Sequence, residues 1–307
     1  MKIQKQQAMR NVLIALAPLH LVAIYLFGWR FLAVLAVVLA AGLLCEWLMA
    51  RRYDLKVTES LFVSCALYAL SLPPAIPLWI AALGIAFGIV FGKMVFGGFG
   101  RNVFNPAITA RAFVYISFGV PMTARFVMPQ TAVSYVGGIA TWLTKADAIS
   151  AATPLVTHNA SLLNLFLGNI SGSFGETSAL LIILGGLYII YKKSANWKIV
   201  LSSIVAFLVL QTILWTAGLT VNPLYALLSG SFLLGAFFMI TDPVSSSQST
   251  NLGRYIYGAL FGLLVVLIRT FSNWSEGVTF AILLANMFAP LIDYYIKDLK
   301  AKRRAKA

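Results

Sequence analysis

Six of the chain's nine acidic residues lie in or beside long apolar runs: Glu46, Glu59, Glu176, Asp242, Glu276 and Asp293. A carboxylate inside a bilayer is costly to hold, so it marks an ion path, a proton relay or a buried pair. Its oxygens are also the ligands that hard cations prefer. Asp54 and Asp298 stand at loop or tail positions and need no such reading. Asp242, in ITDPVSSS, precedes Pro243 at the end of an apolar run, where helix capping competes evenly with ion binding. Asp293, in APLIDYYI, is followed by two tyrosines and is harder to assign to a cap.

A second constellation is GKMVFGGFGRNVFNPAITARAF, residues 92–113. Gly97, Gly98 and Gly100 let backbone approach another group closely, Asn102 and Asn105 offer amide donors and acceptors, and Pro106 suits the first turn of a helix. No strand precedes the loop and its spacing is not a nucleotide fingerprint. A glycine-rich loop between membrane helices is more often a tight connection than a site. Arg111 shifts that balance, because a base one turn inside an apolar run faces a partner, a cavity or an anion. A third stretch, DAISAATPL at 147–155, is short, hydroxyl-bearing and small, and builds no membrane helix. On composition alone Thr153 is an ordinary loop threonine. His20 and His158 are isolated, and Cys45 and Cys65 lie in apolar runs, so no metal cofactor is expected. The chain shows no nucleophile elbow, P-loop or Ser–His–Asp pattern.

The elements that must position these groups are membrane helices. The 307 residues are 60% hydrophobic and 10% charged, with a mean hydropathy of +0.88. An average soluble domain is about a quarter charged. Runs near the 17–25 residues that a spanning helix needs occur at 11–29, 31–50, 57–73, 76–93, 106–121, 176–191, 198–217, 223–241, 255–270 and 278–296. The expectation is a single polytopic, all-α domain over 1–307, with about ten spans and a non-spanning region at about 122–175. The basic N-terminus leads into a retained first span, with no cleavage pattern after it. With the N-terminus inside, 18 of the 23 bases fall in the cytoplasm, only Arg30, Arg125, Lys145 and Arg269 fall outside, and Arg111 stays within a span. That asymmetry places both termini inside and 122–175 outside. It also accounts for the net charge of +14 without a nucleic-acid partner. Pro77-Leu78-Trp79 with Gly84 faintly matches Pro223-Leu224-Tyr225 with Gly230, too weakly to establish a duplication. By residues alone, the chain reads as a channel or transporter with buried acids.

Four further stretches carry a resemblance: PLWIAALGIAFGIVFGKMVFGGFGRNVFNPAITARAF, GSFGETSALLIILGG, MITDPVSSS and EGVTFAILLANMFAPLID. Together, and in this order, they resemble the NqrB/RnfD family, membrane subunits of the sodium-pumping NADH:quinone reductase and of the related Rnf complex, from about residue 9 to 297. NPAITARAF and TDPVSSS lean toward the reductase, and the short chain leans toward Rnf. The resemblance implies a multi-pass protein of the bacterial inner membrane, with an ammonium- and urea-channel-like bundle. It implies FMN joined by a phosphoester to Thr153, at the end of a motif matched by Asp147, Ser150, Ala152 and Thr153; Ala151 replaces the family's usual glycine. It puts Asp242 and Asp293 at positions of acids implicated in cation uptake, with Glu176 a further candidate for that path, and Gly97 and Gly98 near the quinone. Noncovalent riboflavin is a second implied flavin, expected near the Gly97–Asn105 loop, with Asn102, Asn105 and Arg111 in its neighbourhood. Implied partners are the other subunits of the complex, including a second FMN-bearing subunit and an iron–sulfur electron donor, a flavin transferase during maturation, and membrane lipid. The chain would be inactive alone. The rival from another class is a passive channel on the same scaffold without flavin.

Overall fold

The computed structural model describes residues 3–123, 126–127, 153–247, 249–272 and 277–306. Asp147, Ser150, Ala152, Glu276 and most of the expected outer region lie outside them. The N-terminal half holds α1 (Gln7–Phe27), α2 (Trp29–Arg52), α3 (Ser60–Leu70), α4 (Leu78–Ile89) and α5 (Pro106–Ser117). Three short helices follow: α6 (Gly119–Thr123), α7 (Pro154–Thr157) and α8 (Leu162–Leu167). The second half holds α9 (Ala179–Tyr191), α10 (Trp197–Thr216), α11 (Pro223–Leu228), α12 (Phe232–Leu234), α13 (Asn251–Phe271) and α14 (Val278–Lys306). A π-turn prolongs α4 over Val90–Met94 and another prolongs α12 over Gly235–Met239. The one sheet among the described residues is a two-residue parallel ribbon, β1 (Ile3–Gln4) on β2 (Val57–Thr58).

Local chemistry sets the helix starts. Asn105, Asn196, Asn222 and Thr250 each accept a hydrogen bond from a backbone N–H of the first turn, satisfying donors that no intrahelical carbonyl reaches. Pro106 and Pro223 follow two of these caps, where the missing N–H costs nothing. The α1–α2 reversal is made by Gly28 alone, at φ 69°, a conformation that a β-carbon would strain.

Among the described residues, five helices are long and apolar enough to cross a membrane: α1, α2, α10, α13 and α14. Three shorter apolar helices, α3, α4 with its π-turn, and α9, complete the apolar set. Large apolar side chains such as Leu21, Leu44, Trp79, Leu184 and Val205 are exposed, while Glu46, Lys93, Arg111 and Glu176 are buried. A soluble protein distributes these groups the other way round.

Several expected spans are shorter or broken. The run 57–73 is helical only over α3, because Pro73 and Pro74 disfavour helix in the residues before them. The run 223–241 breaks at Ser229 and Gly230, the latter at φ 69°, and 106–121 stops at Ser117 before α6. Helical structure begins at Ala179 rather than 176, whereas α14 runs on beyond 296 to Lys306. The irregular segments satisfy one another: Phe174 and Gly175 donate N–H groups to the carbonyls of Leu72 and Leu70, at 3.2 and 2.7 Å. Irregular backbone at membrane depth persists only when buried in protein in this way. Gly175 permits the approach, since a β-carbon there would stand 2.7 Å from Leu70 Cβ.

One packing scheme occurs twice. In the first half α2 packs on α3 and α4, and α4 on α5; in the second α10 packs on α11 and α13, and α13 on α14, with α1 against α9 between the halves. On this pairing the helix after Pro77 is fourth in its half and the one at Pro223 is third. The faint sequence match between them is therefore not the repeat.

The bundle has two chemically different ends. At one, Arg10 bonds Glu59, Asn11 bonds Ser194, and Asn105 bonds the Met239 carbonyl. This basic end also carries Arg51, Arg52, Lys56, Lys93, Arg101, Lys192, Lys193, Lys198 and Arg254 on its helix ends and loops. At the opposite end Tyr225 donates to the Pro154 carbonyl at 3.2 Å, and Arg269 donates to the carbonyls of Ala226 and Ser229. Arg30 and Arg269 are the bases of this second end among the described residues.

Candidate functional site

Most of the polar chemistry gathers at the basic end. The α4 π-turn carries Lys93, whose ammonium bonds Glu46 of α2 at 2.6 Å, Thr58 at 2.7 Å and Ser60 at 3.0 Å. Lys93 and Glu46 are each 1% exposed, a fully enclosed ion pair. Thr58 adds a backbone N–H and its hydroxyl to Glu46, both at 3.0 Å. The β1–β2 ribbon and Glu59, which accepts from Arg10 and the Gln6 N–H, tie the N-terminal strap over this cluster. By sequence, Lys93 reads as a loop base and Glu46 as one acid among six, so the cluster is not foreseen. The available signal is the base inside FGKMVF, flanked by apolar residues on both sides.

Asp242 and Asp293 come to the same end and hold the same loop. Asp242 accepts from the Ser245 hydroxyl at 2.7 Å and the Val244 N–H at 3.4 Å, the capping arrangement that its position before Pro243 allows. Asp293, on α14, accepts from Ser247 at 2.5 Å and from the Ser249 hydroxyl at 2.7 Å. Neither carboxylate bonds a tyrosine among these contacts. Both residues are half-buried.

The polar residues and glycines of the loop divide between two small cavities, while its Phe104 lines a larger apolar one of about 690 Å³. Asn102, Asn105, Ser60, Ser64, Lys93 and Asp242 help to line one of about 50 Å³. Gly97, Gly98, Glu46 and Thr58 help to line another of about 80 Å³. The two small cavities admit a few water-sized groups, far below the several hundred Å³ of a typical cofactor pocket. The noncovalent riboflavin implied by resemblance fits neither of these two, and of the loop's cavities only the one at Phe104 has the volume for it. Gly97 and Gly98 adopt φ of 103° and 89°, which accounts for these glycines by backbone need alone.

Arg111 and Glu176 are not part of this cluster. Arg111, halfway along α5, bonds Glu176 at 3.1 Å, with side chains 3% and 4% exposed. Glu176 belongs to the irregular stretch against α3, away from Asp242 and Asp293. The base inside the span thus meets an acid inside the bundle, and its place in the neighbourhood of the glycine loop is not supported.

Thr153 stands at the second end, opposite Asp242 and Asp293. It precedes α7 with φ −67° and ψ 153°, the extended backbone that Pro154 favours. Its carbonyl closes the first turn of α7, its side chain makes no capping bond, and it is half-buried. Two residues on, Leu155 lines a cavity of about 350 Å³ together with His158, Gln211, Thr220, Ser229 and Arg269, among others. A three-ring flavin held on a tether fits a space of that size. A hydroxyl free of capping duty, on a small-residue segment that leads into the wall of such a cavity, is compatible with carrying a phosphoryl-linked group. His20 instead packs on Phe31 and bonds the Leu16 carbonyl, and among the described residues no group of three or more His, Cys, Asp and Glu could hold a metal.

An apolar exterior, enclosed ion pairs, broken helices and carboxylates at one end define a polytopic helical membrane protein with the features of an ion-handling bundle. The chain matches the NQR2, RnfD, RnfE family over residues 1–302 and belongs to it. It is 44% identical over 281 residues to the B subunit of the Na(+)-translocating NADH-quinone reductase of Ectopseudomonas mendocina, covering 89% of this chain and 68% of that one. The protein of the same name from Pseudoalteromonas atlantica is 43% identical over 290 residues, 92% of this chain and 70% of its own. That of Stutzerimonas stutzeri is 42% identical over 282 residues, 89% and 68%.

Proposed function

We propose that this protein is the flavin-carrying membrane subunit of a respiratory, cation-translocating oxidoreductase, with FMN joined by a phosphoester to Thr153. The supporting observation is the position of Thr153: an extended, uncapped, half-buried threonine two residues before Leu155 of a 350 Å³ cavity, at the end opposite the basic residues. The family and the names of the relatives support the reaction class. When bound, the flavin accepts and passes on electrons. The chain holds its phosphoryl link on Thr153, offers Leu155, His158, Gln211 and Arg269 as cavity walls, and keeps the ring out of bulk solvent. The remainder of the motif, Asp147, Ser150 and Ala152, serves recognition by a flavin transferase.

In this reading the single domain spans the bacterial inner membrane ten times with both termini in the cytoplasm. Electrons come from iron–sulfur and FMN-bearing partner subunits. Cations enter at the basic, cytoplasmic end past Asp242 and Asp293. Glu176, held by Arg111, serves the interior of that path. The test is co-expression of the chain with a flavin transferase, followed by mass spectrometry of the denatured protein. The wild type is expected to carry an FMN-sized adduct and fluoresce, and Thr153→Ala to lack it. The same adduct on both would place the flavin elsewhere, and a colourless wild type would favour the passive channel.

A further inference from the structure

Three oxygens surround the Lys93 ammonium: Glu46 Oε2, Thr58 Oγ1 and Ser60 Oγ. An ammonium has three donors, so this set saturates it. The two hydroxyls are 2.8 Å apart, and Thr58 Oγ1 also donates to the other oxygen of the same carboxylate, Glu46 Oε1, at 3.0 Å. One carboxylate and two hydroxyls at such spacing are the donor set of a hard cation. The lysine nitrogen thus stands where an ion would be held.

The pair also separates the two small cavities at the basic end. Glu46 and Thr58 line the 80 Å³ cavity, with Gln4, Lys56 and Gly97. Lys93 and Ser60 line the 50 Å³ cavity, where Asp242 is the one carboxylate among the lining residues. Lysine is a compact charge on a flexible four-carbon stem, here mounted on a π-turn, a local form frequent at functional sites. With both carboxylates ionised, Glu46, Lys93 and Asp242 sum to one negative charge, which one monovalent cation balances.

We propose that Lys93 is a tethered competitor for the transported cation. Its ammonium fills a three-oxygen site at Glu46 and withdraws toward Asp242 when an ion enters that site from the 80 Å³ cavity. Return of the ammonium then expels the ion and keeps the site from trapping it. This rests on the reading of the protein as a cation-translocating subunit, and is independent of the flavin on Thr153.

The test compares wild type, Lys93→Met and Lys93→Met/Glu46→Gln in the purified complex, in sodium chloride and in choline chloride. Without the competing ammonium, Lys93→Met should lower the sodium concentration for half-maximal turnover about tenfold, within the usual range of coupling between sites. Its thermal midpoint should rise on exchanging choline for sodium by more than that of wild type. The double variant, which has lost the site's charge, should lose that extra rise. The thermal reading needs no electron transfer, so it stands apart from the presence or absence of flavin. Two results would overturn the proposal. One is a sodium dependence in Lys93→Met equal to wild type in both measurements. The other is loss of assembly in Lys93→Met in both salts with recovery in the double variant, which would make the pair a structural fastener that no ion can replace.

Discussion

Asp293 accepts hydrogen bonds from Ser247 and Ser249 and so fastens the loop that follows Asp242 to α14. The proposed cation role is therefore superposed on a structural one, and substitution by alanine removes both. Asparagine separates them, because its one amide oxygen still accepts from the buried Ser247 and its amide N–H can donate to the exposed Ser249 hydroxyl, while the charge is gone. Asp293→Asn is expected to keep the thermal midpoint close to that of wild type and to raise the sodium concentration for half-maximal turnover. Asp293→Ala should do the same to sodium dependence and also cost about 1 kcal/mol of stability, since the buried Ser247 hydroxyl loses its acceptor while Ser249 is exposed to water. If Asp293→Asn assembles normally and its sodium dependence is unchanged, the carboxylate is a loop fastener. The Arg111–Glu176 pair also has a structural duty. An enclosed pair 3.1 Å apart is costly to break whatever else it does, with about 3–5 kcal/mol typical of removing one partner. Loss of activity in Glu176→Ala would therefore say nothing about an ion path until assembly had been measured.

At the scale of elements, the tightest contact is α10 against α13. Gly258 and Gly262, four residues apart, share one face of α13. A β-carbon at Gly262 would stand 2.3 Å from the Ser203 carbonyl oxygen and 2.9 Å from the Phe207 nitrogen, and one at Gly258 would stand 2.4 Å from the Ile199 carbonyl oxygen. These neighbours are backbone and cannot turn aside. Small residues at such contacts let membrane helices pack by van der Waals forces, without a hydrophobic drive between them. Gly262→Ala is expected to lower stability by about 1–3 kcal/mol, the usual cost of overpacking, read as a reduced thermal midpoint in detergent. Gly119→Ala is the control: nothing lies within 4 Å of its added carbon, and its midpoint should hold or rise slightly. Equal losses in both would mean that α10 and α13 can part freely.

For the whole molecule, the separation of the two ends is the property on which function turns. Described bases crowd one end, and Thr153 and the cavity lined by Leu155 lie at the other. Under the proposed topology, with the basic end in the cytoplasm, Thr153 is external. A periplasm-dependent reporter fused after Lys145 should be active, and one fused after Lys300 silent. The reverse pattern would put the flavin segment in the cytoplasm and invalidate the assignment of Asp242 and Asp293 to an entry side.

Membrane residence, helical class and the asymmetry of charge were legible in the chain because each depends on local composition: apolar runs, turn residues and counts of loop bases. So was the extended backbone of Thr153, which Pro154 imposes on its neighbour. The partners of the buried charges were not. Lys93 meets Glu46 across 47 positions and Arg111 meets Glu176 across 65, and no periodicity records a contact made between helices. The broken spans were half legible, since Pro73 and Pro74 announce that α3 must stop. Which carbonyls and N–H groups then satisfy one another across Leu70, Leu72, Phe174 and Gly175 was decided only when distant irregular segments came together, because a backbone group in a bilayer must find its partner inside the protein.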